Sequence, residues 1–206
     1  MFRDREEAGI LLAEKIKKLL KEKNMVVVAL TRGGVVVGKV ISKILKLPFD
    51  ILVVKKIGAP QNSELAIGAV APSNTVYWNE DLLRMMNISK EEKTRLKNIK
   101  ERERKEQEKM LKVGRPVDIN SKVVILVDDG IATGATTLAA SKYIKKEGAL
   151  KLVLAVPVIS ADTLRDVKKY FDVIIKMKSE KNFMAVGEFY EYFPQVTNEE
   201  VVQLIN

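Results

Sequence analysis

The sequence predicts an α/β fold, a doubly wound and mainly parallel sheet, formed as one domain over residues 1–206. Three observations predict it. Short, wholly apolar, β-branched runs recur at Val26–Leu30, Ile51–Val54, Val123–Val127, Leu152–Val156 and Val173–Ile175, as expected of strands buried on both faces. Stretches with helical periodicity separate most of them, and such alternation winds a parallel sheet. Two of the runs end in turns rich in glycine, threonine or aspartate, at the strand ends where open α/β sheets hold their ligands.

Taken in order, residues 4–22 read as an amphipathic helix carrying Ala8, Leu12, Ile16, Leu19 and Leu20 on one face. The first apolar run follows, then the turn Thr31-Arg32-Gly33-Gly34. A second helix carries Val37, Val40, Ile41, Ile44 and Leu45, and Pro48 ends it before the next strand. Residues 26–54 therefore form a β-α-β unit. The alternation then lapses over about 55–118, which reads as a helical and β-hairpin insert. Lys55–Glu64, with Gly58, Pro60, Gln61, Asn62 and Ser63, reads as a mobile loop. Leu65–Val70 and Thr75–Trp78 read as two short strands.

Residues 80–112 read as two helical pieces broken near Asn87–Ser89, with Ser89-Lys90-Glu91-Glu92 as the capping box of the second. Glu91–Arg95, Glu101–Lys105 and Glu108–Lys112 sit at i,i+4 spacing. Only Leu96 and Ile99 give that piece an apolar seam, so it is expected to be a solvated arm, part of a contact between two copies of the chain. Gly114-Arg115-Pro116 breaks it. Helices at 136–147 and 161–170 then alternate with the last three apolar runs. From about 177 a small C-terminal cap gathers Phe183, Phe189, Tyr190, Tyr192 and Phe193 and ends in a helix near 198–205.

Composition excludes more than it selects. With no cysteine and no histidine, the chain has no disulfide, no thiolate nucleophile, no Cys or His zinc site and no Ser-His-Asp triad. Carboxylates, Lys, Arg, Tyr, hydroxyls and backbone amides must do the chemistry, with magnesium as the metal that oxygen ligands favour. No apolar run approaches the roughly 18 residues that span a bilayer. The N-terminus is too polar for a signal peptide, so a cytoplasmic location is expected. A net charge of +9 suits a polyanionic ligand or nucleic acid. The cations at Lys93, Arg95, Lys97, Lys100, Arg102, Arg104 and Lys105 lack interleaved aromatics for base stacking, so nucleic acid is not an expected partner.

The chemistry concentrates at Val127-Asp128-Asp129-Gly130-Ile131-Ala132-Thr133-Gly134-Ala135-Thr136-Thr137. Small residues at Ala132–Thr137 let backbone N–H groups converge on one anion, and the helix that begins there adds its own N–H groups and dipole. Threonine hydroxyls can donate to the same anion. Asp128 and Asp129 would repel phosphate, and instead suit the vicinal hydroxyls of a sugar. Together the two halves describe a ribose 5-phosphate. An ordinary strand-turn-helix is the alternative reading. The earlier turn Thr31-Arg32-Gly33-Gly34 offers a close backbone approach and a guanidinium fork to a second anion, although Arg-Gly-Gly alone can be a plain turn.

Val124–Thr136 resembles the signature of the type I phosphoribosyltransferase family: four apolar residues, two acids, then x-Thr-Gly-x-Thr after a short spacer. The wider order, from Phe2-Arg3-Asp4-Arg5 through Lys56–Pro60 and Gly114-Arg115-Pro116 to Gln195-Val196, is similar to an uncharacterised branch of that family. The resemblance implies the family's sheet with a C-terminal hood over about 177–206. It implies 5-phosphoribosyl-1-pyrophosphate (PRPP) as donor, a nucleobase-like acceptor, magnesium as cofactor and a homodimer. Thr31–Gly34 would be the pyrophosphate loop, with a cis peptide bond before Arg32. Lys55, Lys56 and Glu64 would lie on a loop that closes over pyrophosphate, although a solvated hairpin reads those residues equally well.

The resemblance also makes Asp128 and Asp129 candidate magnesium ligands, directly or through the PRPP hydroxyls. Phe183, Phe189 or Tyr190 would stack on the acceptor ring, although each alone reads as core packing of the hood. Ala132 stands where purine-salvage members carry an acid, and Ala135 where 6-oxopurine enzymes often carry lysine; both count against hypoxanthine or guanine. With no evident general base, the acceptor is expected to arrive as an anion. The rival reading is a non-catalytic regulator that senses PRPP or a nucleotide and binds nucleic acid, but no DNA-reading module precedes the α/β region. A flavodoxin-like nucleotide binder is a third reading, which the acid pair beside a phosphate turn disfavours.

Overall fold

The computed structural model describes residues 1–114, 116–181 and 183–206; Arg115 of the Gly114-Arg115-Pro116 break lies outside the described residues. The first helix, α1 (Arg5–Leu19), starts where the Asp4 carboxylate accepts the Glu7 N–H at 2.8 Å and so satisfies one of its orphan donors. It leads to β1 (Met25–Leu30), α2 (Gly33–Leu45) and β2 (Phe49–Leu52). Next come β3 (Lys55–Ala59), β4 (Asn62–Ala71), β5 (Thr75–Trp78), α3 (Glu80–Met85) and α4 (Lys90–Met110). The remainder is β6 (Val123–Val127), α5 (Ala135–Lys146), β7 (Lys151–Ser160), α6 (Ala161–Val167), β8 (Val173–Glu180) and α7 (Asn198–Ile205).

The principal sheet has the order β2-β1-β6-β7-β8 and every pairing in it is parallel. The chain leaves β1 toward β2 on one side and leaves β6 toward β7 and β8 on the other. The boundary between β1 and β6 is thus the topological switch point. Side chains alternate across these strands: Val27, Ala29, Ile125 and Val127 face α1, α2 and α7, while Val26, Val28, Val124 and Leu126 face α5 and the second sheet. Burial on both faces explains why the strand runs are apolar without a break. Among the described residues no helix is long and apolar enough to cross a membrane.

Three sequence expectations change. Of its two readings, Lys55–Glu64 takes the hairpin and not the open loop. Most of it belongs to β3 and β4, which with β5 form a separate antiparallel sheet. Gly58, Pro60 and Asn62 punctuate a hairpin, with Ile57 and Ala59 packing on Ile67, Val70 and Leu83. Gly58 sits at a register shift where an added Cβ would come within 2.4 Å of the Ser63 carbonyl. Nor is α4 a solvated arm. It packs along the same sheet through Leu96, and Leu111 just beyond it is fully buried.

Arg104 in α4 is only 4% exposed, with Glu101 at 2.8 Å and Glu108 as partners. Lys93, Arg95, Lys100 and Lys105 pair with glutamates too, so much of the cationic run is neutralised within the protein. Finally, β8 continues to Glu180 and the apolar side of α7 joins the layer formed by α1 and α2. The segment that reaches back over the sheet is therefore shorter than 177–206.

Candidate functional site

The two turns singled out by sequence leave adjacent strands at the switch point, and parallel pairing brings them into contact. After β1 the chain passes through Thr31 and Arg32, joined by a cis peptide bond as the family resemblance implies, into Gly33 and α2. After β6 it passes through Asp128, Asp129 and Gly130. A Cβ placed on Gly33 would lie 1.8 Å from Asp129 Oδ2, and one on Gly34 would lie 2.9 Å from both Asp128 Cα and the Val127 carbonyl. The glycines permit this approach by having no side chain.

The two acids are held differently. Asp128 Oδ1 accepts the Asp129 backbone N–H at 2.9 Å. Burial pushes the Asp128 carboxyl well above the usual range, the neighbouring Asp129 charge pushes it further, and the Asp129 N–H and Arg5 oppose the shift. Asp129 Oδ2 instead accepts Arg5 Nε at 2.8 Å. The Asp129 carbonyl accepts the Tyr190 hydroxyl at 2.6 Å, a group whose own pKa is raised by burial and then by the Asp129 charge.

Beyond the acids, Ile131 exchanges backbone hydrogen bonds with Val158 and Ser160 at 2.9 and 3.0 Å, which fixes the turn to the end of β7. The Thr163 hydroxyl donates to the Ala132 carbonyl. Ala132 and Thr133 are exposed, and Gly134 takes the left-handed region at φ 75°. Among the described residues no side chain caps α5, leaving its first N–H groups free for an anion. Thr136 is half-buried, whereas Thr137 is fully buried and its hydroxyl has no partner among the described residues. Burial therefore removes the Thr137 side chain from the groups open to a ligand.

The hairpin candidates separate. Successive strand residues point to opposite faces, so Lys55 and Lys56 cannot act together. Lys56 Nζ lies 3.2 Å from Glu64 Oε2 across the β3–β4 pair. Burial lowers the Lys55 pKa; Glu103 opposes this, and the Lys100 and Arg32 charges lower it further. Lys55 thus feels the charges of α4 first and that of Arg32 less, whereas Lys56 and Glu64 are engaged with each other.

Local motif reading missed the role of Arg5 and of the N-terminal segment around it. Phe2 N–H donates to the Phe189 carbonyl, and Glu191 and Tyr192 N–H groups donate to the Phe2 and Arg3 carbonyls, each at 2.8 Å. Tyr190 is 5% exposed, tilted against Phe2 at 5.4 Å and stacked on Phe193 at 4.7 Å between ring centroids. It is a packing residue and not an open stacking platform. Phe183 and Phe189 stack on each other at 5.1 Å and stay half-buried. Arg5, Arg32, Gly33 and Phe193–Val196 line a cleft of about 340 Å³ beside the acids.

Among the described residues no group of three or more acids is placed to hold a metal ion. Asp129 already faces a guanidinium, which disfavours a second cation on the same oxygen. The donor set therefore fits a magnesium ion carried mainly by substrate oxygens and not one caged by protein.

The sequence model of the phosphoribosyl transferase domain matches residues 4–193. A Mycobacterium tuberculosis H37Rv protein, provisionally named phosphoribosyl transferase Rv0571c, is 34% identical over 207 aligned positions. That alignment takes in 100% of this chain and 46% of the other, so the chain spans about half the length of the curated relatives it matches. The crystal structure of TT1426 from Thermus thermophilus superposes with a TM-score of 0.83 at 34% identity, covering 99% of this chain and 97% of that one. AQ2163 from Aquifex aeolicus, at 15% identity and a TM-score of 0.50 over 85% of this chain and 73% of its own, shares the fold.

Proposed function

We propose, since the chain belongs to the phosphoribosyl transferase family, that it transfers phosphoribose from PRPP to a nitrogenous acceptor and releases pyrophosphate, with residues 1–206 acting as one domain. One observation carries this reading. At the switch point an acid pair and an Arg-Gly-Gly turn meet within contact distance, and the turn that follows the acids runs into an uncapped helix N-terminus, which supplies one site each for the ribose hydroxyls, the pyrophosphate and the 5-phosphate.

In this reading the turn Ala132–Thr137 holds the 5-phosphate through backbone N–H groups and the Thr133 and Thr136 hydroxyls. Asp128 and Asp129 accept hydrogen bonds from the ribose 2- and 3-hydroxyls. Backbone groups of Thr31–Gly34, with the Arg32 fork, take the pyrophosphate, and Lys55 adds charge beside them. Magnesium, when bound with PRPP, would neutralise the leaving pyrophosphate. The chain's own contribution is positioning and electrostatic stabilisation of an oxocarbenium-like transition state. Ala132 and Ala135 supply neither a proton nor a charge to a ring, which favours an acceptor other than hypoxanthine or guanine and one that arrives as an anion.

The direct test incubates the protein with PRPP, magnesium and a panel of nucleobases and related heterocycles, and measures pyrophosphate release. Release with at least one acceptor is expected. If none gives release although PRPP binds, transfer is ruled out and binding alone remains. In crystals soaked with PRPP the 5-phosphate is expected on Ala132–Thr137. Density for it anywhere else, with that turn empty, would overturn the site.

Lys55 gives a second expectation. Its pKa is lowered in the free protein by burial, and a bound polyanion favours the charged form. As pH rises toward the ordinary lysine range, pyrophosphate binding should take up a proton and lose affinity, and Lys55→Met should abolish that uptake. Calorimetry at alkaline pH in two buffers of different ionisation heat checks this. Equal proton uptake by the wild type and Lys55→Met would rule the lysine out.

A further inference from the structure

We propose that Arg5 is a positioning residue that fixes the Asp129 carboxylate for the ribose hydroxyls and ties the C-terminal segment to it. The proposal rests on the reading of Asp128 and Asp129 as the diol acceptors. Arg5 is the first residue of α1, set in place by the Asp4 cap, and is 8% exposed. Its guanidinium makes three separate contacts. Nε donates to Asp129 Oδ2 at 2.8 Å, Nη1 donates to the Pro194 carbonyl at 2.8 Å, and Cζ lies 3.7 Å from the centre of the Phe193 ring. The same Nε would be 3.0 Å from a Cβ on Gly33. One side chain thus touches Asp129 and the C-terminal segment and lies against the pyrophosphate turn.

The partners of Asp129 give this arrangement a direction. Its N–H donates to Asp128, its carbonyl accepts from Tyr190, and its Oδ2 accepts from Arg5. Among the described residues no N–H or hydroxyl group donates to Oδ1, although the Asp128 carboxyl lies within hydrogen-bond reach of the Asp129 side chain. Pinning Oδ2 fixes the plane of the carboxylate and presents Oδ1 to a ligand, so less rotamer freedom is lost on binding. The guanidinium also offsets the charge of one of two adjacent carboxylates that must tolerate phosphates nearby. Stability alone explains the arrangement poorly, because a buried ion pair commonly adds little over apolar packing.

The test is a double-mutant cycle read by calorimetry with three probes: PRPP with magnesium, ribose 5-phosphate, and inorganic pyrophosphate. Arg5→Met is expected to weaken PRPP and ribose 5-phosphate by about tenfold or more, the size of one charge-assisted hydrogen bond, and to change pyrophosphate by less than about threefold. In an Asp129→Asn background the same change should cost less than about twofold, because coupled residues are non-additive. Arg5→Lys should recover at least about threefold of the loss, since it keeps the charge but not the planar fork. If Arg5→Met fails to fold, the cycle is run with Arg5→Lys. Equal losses for all three probes, or additivity with Asp129→Asn, would overturn the positioning role. A wild-type protein that binds neither PRPP nor ribose 5-phosphate would instead overturn the functional reading beneath it.

Discussion

Alanine at Gly33 is expected to lower PRPP affinity by about a hundredfold or more, because a displaced turn loses at least two charge-assisted hydrogen bonds to the ligand, each worth about 1.5–3 kcal/mol, and each 1.4 kcal/mol is tenfold. The new methyl would lie 1.8 Å from Asp129 Oδ2 and 2.5 Å from its Cγ. A free carboxylate could swing away. This one is held by Arg5 at 2.8 Å, with its side chain only 15% exposed, so it must break that pair or push the Arg32–Gly34 turn off the site. Either displacement separates the two halves of the PRPP pocket. Titration of Gly33→Ala with PRPP and magnesium, alongside a thermal melt, measures both costs. Affinity within about threefold of wild type would show that the turns do not need their close approach.

The second large effect separates the two acids. The sequence alone expects Asp128→Asn and Asp129→Asn to weaken PRPP by about tenfold or more while leaving stability nearly unchanged. The structure changes half of that expectation. Asp129→Asn leaves the nearly buried Arg5 guanidinium without its counter-charge, at a cost of about 3 kcal/mol, the low end for a broken buried pair because the amide oxygen still accepts. For a chain of this size that is a melting temperature lower by about 6–12 °C.

Asp128→Asn should behave oppositely. The Asp128 carboxyl has a raised folded-state pKa, with burial as the first cause, so the folded protein holds that proton more firmly than the unfolded chain does. The stability so gained is present at acid pH and is lost as pH rises through the folded value. A neutral amide avoids that loss, and Asp128→Asn should melt no lower than wild type at neutral pH while binding PRPP more weakly. Equal melting shifts for the two variants would refute the distinction.

The parts of this molecule that sequence made legible are those whose signals are local. The central strands announced themselves because burial on both faces forces unbroken apolar runs. Asp128–Thr137 stood out because a strand end, an acid pair and a small-residue turn follow one another without interruption. The hairpin β3–β4 was obscured because Gly58, Pro60 and Asn62 signal a tight turn and an open loop alike. Helix α4 looked solvated because its polarity is satisfied internally, through pairs such as Arg104 with Glu101 and Glu108. Arg5 was hidden for a different reason. Its partner lies 124 positions away, and nothing in the composition around Phe2–Arg5 says which carboxylate it will meet.

The pairing of Phe2 and Arg3 with residues 189–192 also bears on the order in which the molecule can be made. On a ribosome Phe2 and Arg3 emerge well before their hydrogen-bond partners Phe189, Glu191 and Tyr192. A nascent chain can close the β1–β2 unit early, but Arg5 then waits with neither Asp129 nor Pro194 to receive it. A buried cation without its counter-ion is costly, so the start of α1 has reason to stay in solvent until the C-terminal segment arrives. The pocket is thus closed only once residues 189–194 have been made and have joined the segment that holds Phe2 and Arg5.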